Sequence, residues 1–442
     1  MTPVNRDSLA IGAELLLPTS RRRAVVVREL GAGGQGAVYE VVVSEKAYAL
    51  KWYHLHYLKH DTKLRSRIER AVARGAPSSK FLWPMELAIA RDSASFGYLM
   101  PLRAPNFRTM RDLIAPLPVR ISPSLVVRLN ACCHVADSFL KLHAKGLSYQ
   151  DINFGNLFLD PDSGDVCICD NDNVDVDGEK GSIFGTRKFM APEIVRGEKY
   201  PDAQTDLYSL AVLLFYLLHN WHPLDGAKEA SIPILDEDAL HELYGANPRF
   251  IFDPADRSNG PVGGLHDSVV LYWQSLSPEV QILFEKTFIG STRHAAAPRV
   301  VESEWRMALS RMRNSVIRCP DCDHEQWYRL RRTADEEGSR CLACQTLLKP
   351  RFALNLGSDR LLLDKGRVFG VGAGIGRDSS DAGADSARVE AHPEREDVLG
   401  LRNLGAVPWL VRLPSRAPFQ VPPGKTVRLL AELEIDFGPR AG

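Results

Sequence analysis

Between residues 24 and 52, apolar and polar positions alternate in three short runs: Ala24–Leu30, Val38–Val43 and Ala47–Trp52. The runs are rich in β-branched and aromatic residues, and a period of two predicts strands. A glycine-rich turn separates the first two runs, and Ser44-Glu45-Lys46 separates the second two. From 57 to 74 the pattern turns helical and charged. Long helical stretches follow near 124–145, 206–219 and 278–289. Residues 223–275 are richer in Pro, Gly and Asp than their neighbours and predict a loop-heavy insertion. Beyond 350 no long helical period remains. Short apolar runs alternate with Gly and Pro turns, which predicts a small β domain. Within it, Arg377 to Asp397 is poor in apolar residues and predicts a long mobile loop. The chain contains no internal repeat.

The length of 442 residues argues for two or three domains. Lys plus Arg equals Asp plus Glu at 55 each, so no global field draws nucleic acid or an acidic membrane surface. Neither partner is expected. The longest apolar run, Leu207 to Leu218, is too short to span a bilayer and reads as a buried helix. Met1 to Leu9 mixes polar and charged residues, unlike a secretory signal. Of eight cysteines, four form two CxxC pairs, and Cys132, Cys133, Cys167 and Cys169 are scattered. That usage fits reduced thiols in a cytoplasmic protein. The expected organisation is a leader at 1–20, a first domain at 21–312, a cysteine module at 313–350 and a β domain at 351–442.

Chemistry concentrates in the first domain. Gly31-Ala-Gly33-Gly34-Gln-Gly36-Ala-Val38 joins strand to strand. In a dinucleotide fold such glycines would open a helix, so a flap over phosphates is the better reading. Lys51 lies 13 positions after Val38 in a strand and needs a partner if buried, and Glu69 on the charged helical segment is the candidate. In Ser148-Tyr149-Gln150-Asp151-Ile-Asn153-Phe-Gly-Asn156, Asp151 can accept a hydroxyl proton and Asn156 can hold Mg²⁺. The apolar strand Val166–Cys169 ends in Asp170, with Asp172 as an alternative or second acid. Gly185-Thr186 runs through Ala191-Pro192-Glu193, then Asp206 opens an apolar helix.

These motifs, in this order, resemble those of a eukaryotic-type protein kinase over about residues 24–312. The resemblance implies an α+β bilobal fold that uses ATP and Mg²⁺ to phosphorylate Ser/Thr of a protein substrate. It implies that Lys51 grips the phosphates while Glu69 holds it, and that Phe96–Arg103 leads into the hinge with Met100 as gatekeeper. It also implies that Arg299 partners Glu193. The nucleotide would then lie among Gly31, Gly33, Gly36, Val38, Ala49, Met100 and Leu102, with Asn156 and Asp170 on the metal. Three departures stand out: Tyr149-Gln150-Asp151 replaces His-Arg-Asp, Asp170-Asn171-Asp172 replaces Asp-Phe-Gly, and Asn153 stands where many such kinases have lysine. A nucleotide-binding pseudokinase scaffold and a small-molecule kinase therefore remain alternatives. Ser182 and Thr186 are the hydroxyls between Asp170 and Glu193, and the resemblance implies that Thr186 contacts Asp151.

Cys319-x-x-Cys322 and Cys341-x-x-Cys344, separated by 18 residues, can present four thiolates to one structural Zn²⁺ as a zinc ribbon. His324 is expected to be exposed rather than a ligand. Gly400–Gly405, Trp409 and Val421–Lys425 resemble the last strands of a forkhead-associated (FHA) domain, with Gly376-Arg377-Asp-Ser379 only a loose echo of a phosphothreonine site. Kinase, zinc ribbon and FHA-like β domain in this order resemble the bacterial kinases linked to tellurite-resistance (TerY-type) clusters. Phe81-Leu-Trp83-Pro84, Phe96–Arg103 and Asp170–Val174 carry that likeness. It implies partners with a von Willebrand A domain and a metal-dependent protein phosphatase.

Overall fold

The computed structural model describes residues 8–91, 93–176, 185–293, 298–329, 339–350, 352–356, 359–370, 386–414 and 416–438. The first lobe is a closed barrel in the order β1-β2-β3-β4-β6-β5. Its strands are β1 (Glu14–Leu17), β2 (Arg22–Ala32), β3 (Gly36–Val43), β4 (Lys46–Tyr53), β5 (Glu86–Ile89) and β6 (Phe96–Met100). Two helices, α1 (Leu55–His60) and α2 (Leu64–Arg74), sit between β4 and β5. The expected leader is corrected here. Residues 14–17 are a strand that pairs with both β2 and β5, because Leu15 and Leu17 project into the barrel core.

Strand alternation decides which side chains meet the cleft. On β4, Leu50 and Trp52 point into the barrel beside Tyr39 and Val41. Ala49 and Tyr53, on the opposite face, pack with Leu64 and Ile68 of α2, with Met100, and with Tyr98. Lys51 shares that second face by the period of two. Gly36 is required by packing, since a Cβ there would stand 2.1 Å from the Trp52 carbonyl oxygen.

The second lobe is mainly helical. It begins with a short strand, β7 (Arg108–Thr109), and the long helix α3 (Leu125–Ala144), capped by Ser124 Oγ accepting from Val127 N. Short strands β8 (Leu147–Ser148), β9 (Leu157–Leu159), β10 (Val166–Ile168) and β11 (Asp175–Val176) frame the loops of the cleft. Next come α4 (Pro192–Val195) and the buried helix α5 (Ala203–His219), which opens on an Asp202–Thr205 capping box. The insertion predicted at 223–275 contains α6 (Ala227–Ala230), α7 (Glu237–His241) and α8 (Asp267–Gln274) among its loops. Helices α9 (Pro278–Arg293) and α10 (Glu302–Asn314) close the lobe. One apolar core unites them, including Phe139, Leu214, Phe284 and Trp305.

A hairpin follows, β12 (Val316–Arg318) with β13 (Glu325–Trp327). It is docked on the second lobe: Glu325 Oε2 accepts from Val126 N at 3.1 Å, and Trp327 N donates to the Ser275 carbonyl at 2.9 Å. His324 is corrected from exposed to half-buried, with Nε2 3.0 Å from Ser275 Oγ. The C-terminal strands are β14 (Ala353–Leu356), β15 (Asp359–Leu362), β16 (Val368–Gly370), β17 (Ser386–His392), β18 (Arg395–Asn403), β19 (Trp409–Leu413), β20 (Arg416–Val421), β21 (Thr426–Arg428) and β22 (Glu434–Asp436). A sheet β16-β17-β18-β21 and a sheet β20-β19-β22 share one core containing Val389, Leu401, Trp409 and Val411. Within the stretch Arg377 to Asp397 that the sequence reads as a mobile loop, residues 386–392 and 395–397 belong to β17 and β18, with Ala391 paired to Leu399 and His392 to Arg395. Val389 is buried in the shared core, and Ala391 is packed against it. Residues 377–385 and the Gly376–Ser379 echo lie outside the described residues.

Candidate active site

The cleft between the lobes brings Lys51, Asp151, Asn156, Asp170 and Asp172 together. Lys51 is buried, and its ammonium has three N–H donors. One goes to Gln35 Oε1 at 2.8 Å, one to Asp172 Oδ2 at 2.7 Å and one to Asp170 Oδ1. Burial alone would push Lys51 down, but Asp172 and Asp170 outweigh it and hold it above the usual lysine value. The ion therefore persists at neutral pH despite its burial.

Glu69 is not among those partners. It sits on the exposed side of α2 and accepts from Arg65 Nε at 3.2 Å. The expected Lys51–Glu69 pair is corrected on this point. Leu64, Ile68 and Ala71 form the buried stripe of α2, and Arg67 lies on it. Each helical residue advances about 100°, so position 69 is turned away from position 67 by about 200°. Arg67 instead donates from Nε to the Asp172 carbonyl at 2.6 Å and from Nη2 to Asp61 Oδ2 at 2.6 Å.

Tyr149 and Gln150 are held from below by α5. Their backbone N–H groups donate to the two oxygens of Asp206, at 2.5 and 3.0 Å. Gln150 has φ of +70°, a left-handed turn that swings the chain into the following loop. The buried Tyr149 hydroxyl donates to the Cys169 carbonyl, tying this loop to the one that carries Asp170. Asp151 follows, with Oδ1 accepting from Thr186 Oγ1 at 3.2 Å. Asn156 donates from Nδ2 to the Asp151 carbonyl at 2.9 Å, which leaves its side-chain oxygen as the group able to face a cation. The Asn156 carbonyl accepts from Cys169 N at 2.9 Å, so the Asp151–Asn156 loop and the Asp170 loop lie edge to edge. Asn153 closes its own turn, with Oδ1 accepting from Gly155 N at 2.8 Å.

Asp170 adopts φ of +58° and keeps about a quarter of its side chain exposed. Burial and the neighbouring Asp172 push its carboxyl up, against the pull of Lys51. A carboxylate and an amide oxygen on adjoining loops are hard oxygen donors, the set Mg²⁺ takes beside phosphates. On the apolar side of the cleft, Val38, Ala49, Met100, Leu102 and Cys169 belong to one cluster. A Cβ on Gly31 or Gly33 would meet nothing within 4 Å, so the turn before β3 borders open space.

Away from the cleft, Glu193 accepts from Arg299 Nη2 at 2.6 Å, the pairing expected from the sequence. Four thiols converge beyond β12: the sulfurs of Cys319, Cys322, Cys341 and Cys344 all lie within 4.8 Å of one another. Two of the pairs, Cys319–Cys344 and Cys322–Cys341, stand at 3.5 and 3.6 Å. A tetrahedron with Zn–S of about 2.3 Å has edges of about 3.8 Å, so this donor set fits a zinc ion closely. Each knuckle ends in a residue of positive φ four positions after its first cysteine, Asp323 and Gln345.

Sequence reasoning missed Tyr53, whose hydroxyl donates to Asp172, and Arg67. Both had a signal. Tyr53 is two residues past Lys51 on the same strand face, and Arg67 lies one residue before Ile68 on the apolar stripe of α2.

The protein kinase domain family matches residues 24–288. The chain is 30% identical over 150 residues to CBL-interacting protein kinase 4 of Oryza sativa subsp. japonica, covering 33% of this chain and 32% of the relative. It is 25% identical over 213 residues to serine/threonine-protein kinase pkn2 of Myxococcus xanthus, covering 46% and 25%. It is 28% identical over 199 residues to serine/threonine-protein kinase PknK of Mycobacterium bovis, covering 43% and 17%. The chain thus spans about a third or less of the length of these relatives. Among the described residues no helix is long and apolar enough to cross a membrane.

Proposed function

The chain belongs to the protein kinase domain family, and we propose that it transfers the γ-phosphate of ATP to a serine or threonine hydroxyl of a protein substrate. The observation that carries this reading is the joining of Asp151, Asn156 and Asp170 across one hydrogen-bonded pair of loops, opposite a charged Lys51. Val38, Ala49, Met100 and Leu102 enclose the adenine, and Gly31, Gly33 and Gly36 let the backbone approach the phosphates. Lys51 turns from Gln35 to the α- and β-phosphates. Asp151 orients the acceptor hydroxyl and takes its proton as the oxygen bonds to the γ-phosphorus. The bond to the bridging oxygen breaks, and ADP leaves. Asn156 and Asp170 would hold Mg²⁺, which when bound neutralises charge on the phosphate oxygens.

In the same reading, Cys319, Cys322, Cys341 and Cys344 hold one structural Zn²⁺, and the FHA-like β region is a packing module. The likeness to tellurite-resistance-linked kinases adds a von Willebrand A-domain protein and a metal-dependent protein phosphatase as partners in the cytoplasm. Phosphate transfer from labelled ATP, with Asp151→Asn as control, is the test. Wild type is expected to label a protein acceptor and Asp151→Asn to lose nearly all transfer; undiminished transfer by the variant would overturn the assignment.

A further inference from the structure

The proposed reaction needs Lys51 held in one place, and α2 does not supply a carboxylate to hold it. The loop after β10 does. Asp172 is almost fully buried, and an ionised acid in that position persists only with partners. Its Oδ2 accepts from Lys51 at 2.7 Å and from the Tyr53 hydroxyl. Its carbonyl oxygen accepts from Arg67 of α2 at 2.6 Å, and Arg67 is braced in turn by Asp61.

The local chain geometry produces this division of labour between two acids. Asp170 takes a left-handed turn, and Asn171–Asn173 form a single tight turn after it. Asn171 locks that turn by donating from Nδ2 to the carbonyls of Leu82 and Ile168, at 2.9 and 3.1 Å. Asp170 is left partly exposed toward the cleft, while Asp172 is carried under Lys51.

We propose that Asp172 is the positioning residue for Lys51, and that Arg67 couples helix α2 to it through the main chain of the metal-binding loop. The proposal rests on the phosphotransfer reading above. It makes the loop itself, rather than the helix, the source of the carboxylate. A shift of α2 then reaches the Lys51 ammonium through Arg67 and Asp172.

The test measures ATP–Mg²⁺ affinity and phosphate transfer on the full chain for Asp172→Asn, Lys51→Met, their combination, and Glu69→Gln. Loss of one charge-assisted bond to Lys51 predicts nucleotide binding weakened by about tenfold to a hundredfold in Asp172→Asn, with turnover falling as well. Because Asp172 acts through Lys51, the double variant is expected to bind ATP no more weakly than Lys51→Met alone. A merely structural aspartate would add its own loss. Glu69→Gln should match wild type. Should Asp172→Asn fail to fold, the double variant Asp61→Asn/Arg67→Met cuts the tether from the helix side, and several-fold weaker ATP binding is expected. Wild-type affinity in the variant of the coupling chain that folds, additive loss in the Lys51 background, or a comparable loss in Glu69→Gln would each overturn the role. The two readings fail differently. A wild-type chain that binds no ATP removes both, whereas wild-type binding with unchanged affinity in Asp172→Asn removes only this one.

Discussion

His143 Nε2 lies 3.2 Å from Oδ2 of Asp206, the carboxylate that also accepts the backbone N–H groups of Tyr149 and Gln150. The other ring nitrogen of His143 contacts Glu302 at the start of α10. One histidine at the end of α3 thus links α10 to the loop that carries Asp151. Burial opposes its charge, but Asp206 and Glu302 outweigh that and raise its pKa to about 9.

The raised value sets the sign of a pH effect. The folded pKa lies above the ordinary histidine value, so the stabilisation is complete below about pH 6.5 and is lost as pH climbs through about 9. Urea unfolding at pH 7 and at pH 10 is expected to show that loss in wild type and not in His143→Asn. At pH 7 the variant should be less stable by about 3 kcal/mol, the cost of breaking a buried ion pair from one side. Equal pH slopes in the two proteins would show that the ring is neutral in the fold.

Thr186 and Ser182 should separate. Thr186 Oγ1 donates to Asp151 at 3.2 Å, so Thr186→Ala frees the carboxylate that must face the acceptor. Turnover is expected to fall by about tenfold or more, with ATP affinity unchanged, and Thr186→Ser should restore most of it. Ser182 lies outside the described residues. A phosphate there would add about −1.5 to −2 charge beside the acidic run Asp172–Glu179, and Gln150 offers no cation to receive it. Ser182→Ala should therefore keep most activity. An equal, severe loss in both variants would point to activation through a phosphate.

The thiol cluster predicts one zinc ion per chain by elemental analysis, and metal-free protein from Cys341→Ser/Cys344→Ser. Binding of a structural zinc is coupled to folding of its knuckles. The hairpin β12–β13 contacts α3 and Ser275, so the metal-free variant should also lose thermal stability in the second lobe. A full-length preparation without metal, with the same melting temperature as the zinc-loaded chain, would contradict this.

Closure of the barrel by β1 predicts a contrast among three adjacent leucines. Leu15 and Leu17 are buried, and Leu16 is exposed. Leu15→Ala and Leu17→Ala should each cost about 2–5 kcal/mol in denaturant unfolding, with Leu16→Ala near neutral. Near-zero cost at all three would mean that residues 14–17 are dispensable to the lobe.

Local order was legible where a short window holds all the information. The alternation on β3 and β4 marks strands because each residue's neighbours at ±2 share its face. Asp151, Asn156 and Asp170 could be singled out because their loops are short and their spacing is set by the chain. The CxxC pairs were found for the same reason. Glu69 was misplaced because a charged helix offers several acids, and only burial of the Leu64–Ile68–Ala71 stripe decides which face turns inward. Residues 14–17 read as a leader because four residues are too few for a period to declare itself; pairing with β2 and β5 makes them a strand. The buried acid that Lys51 meets, Asp172, lies 121 positions away, and Arg67 reaches that loop across 105. By itself the sequence determined which residue types the cleft would contain. Only the tertiary structure decided which of its acids meet the lysine, because a buried charge selects its partners by distance in space and not along the chain.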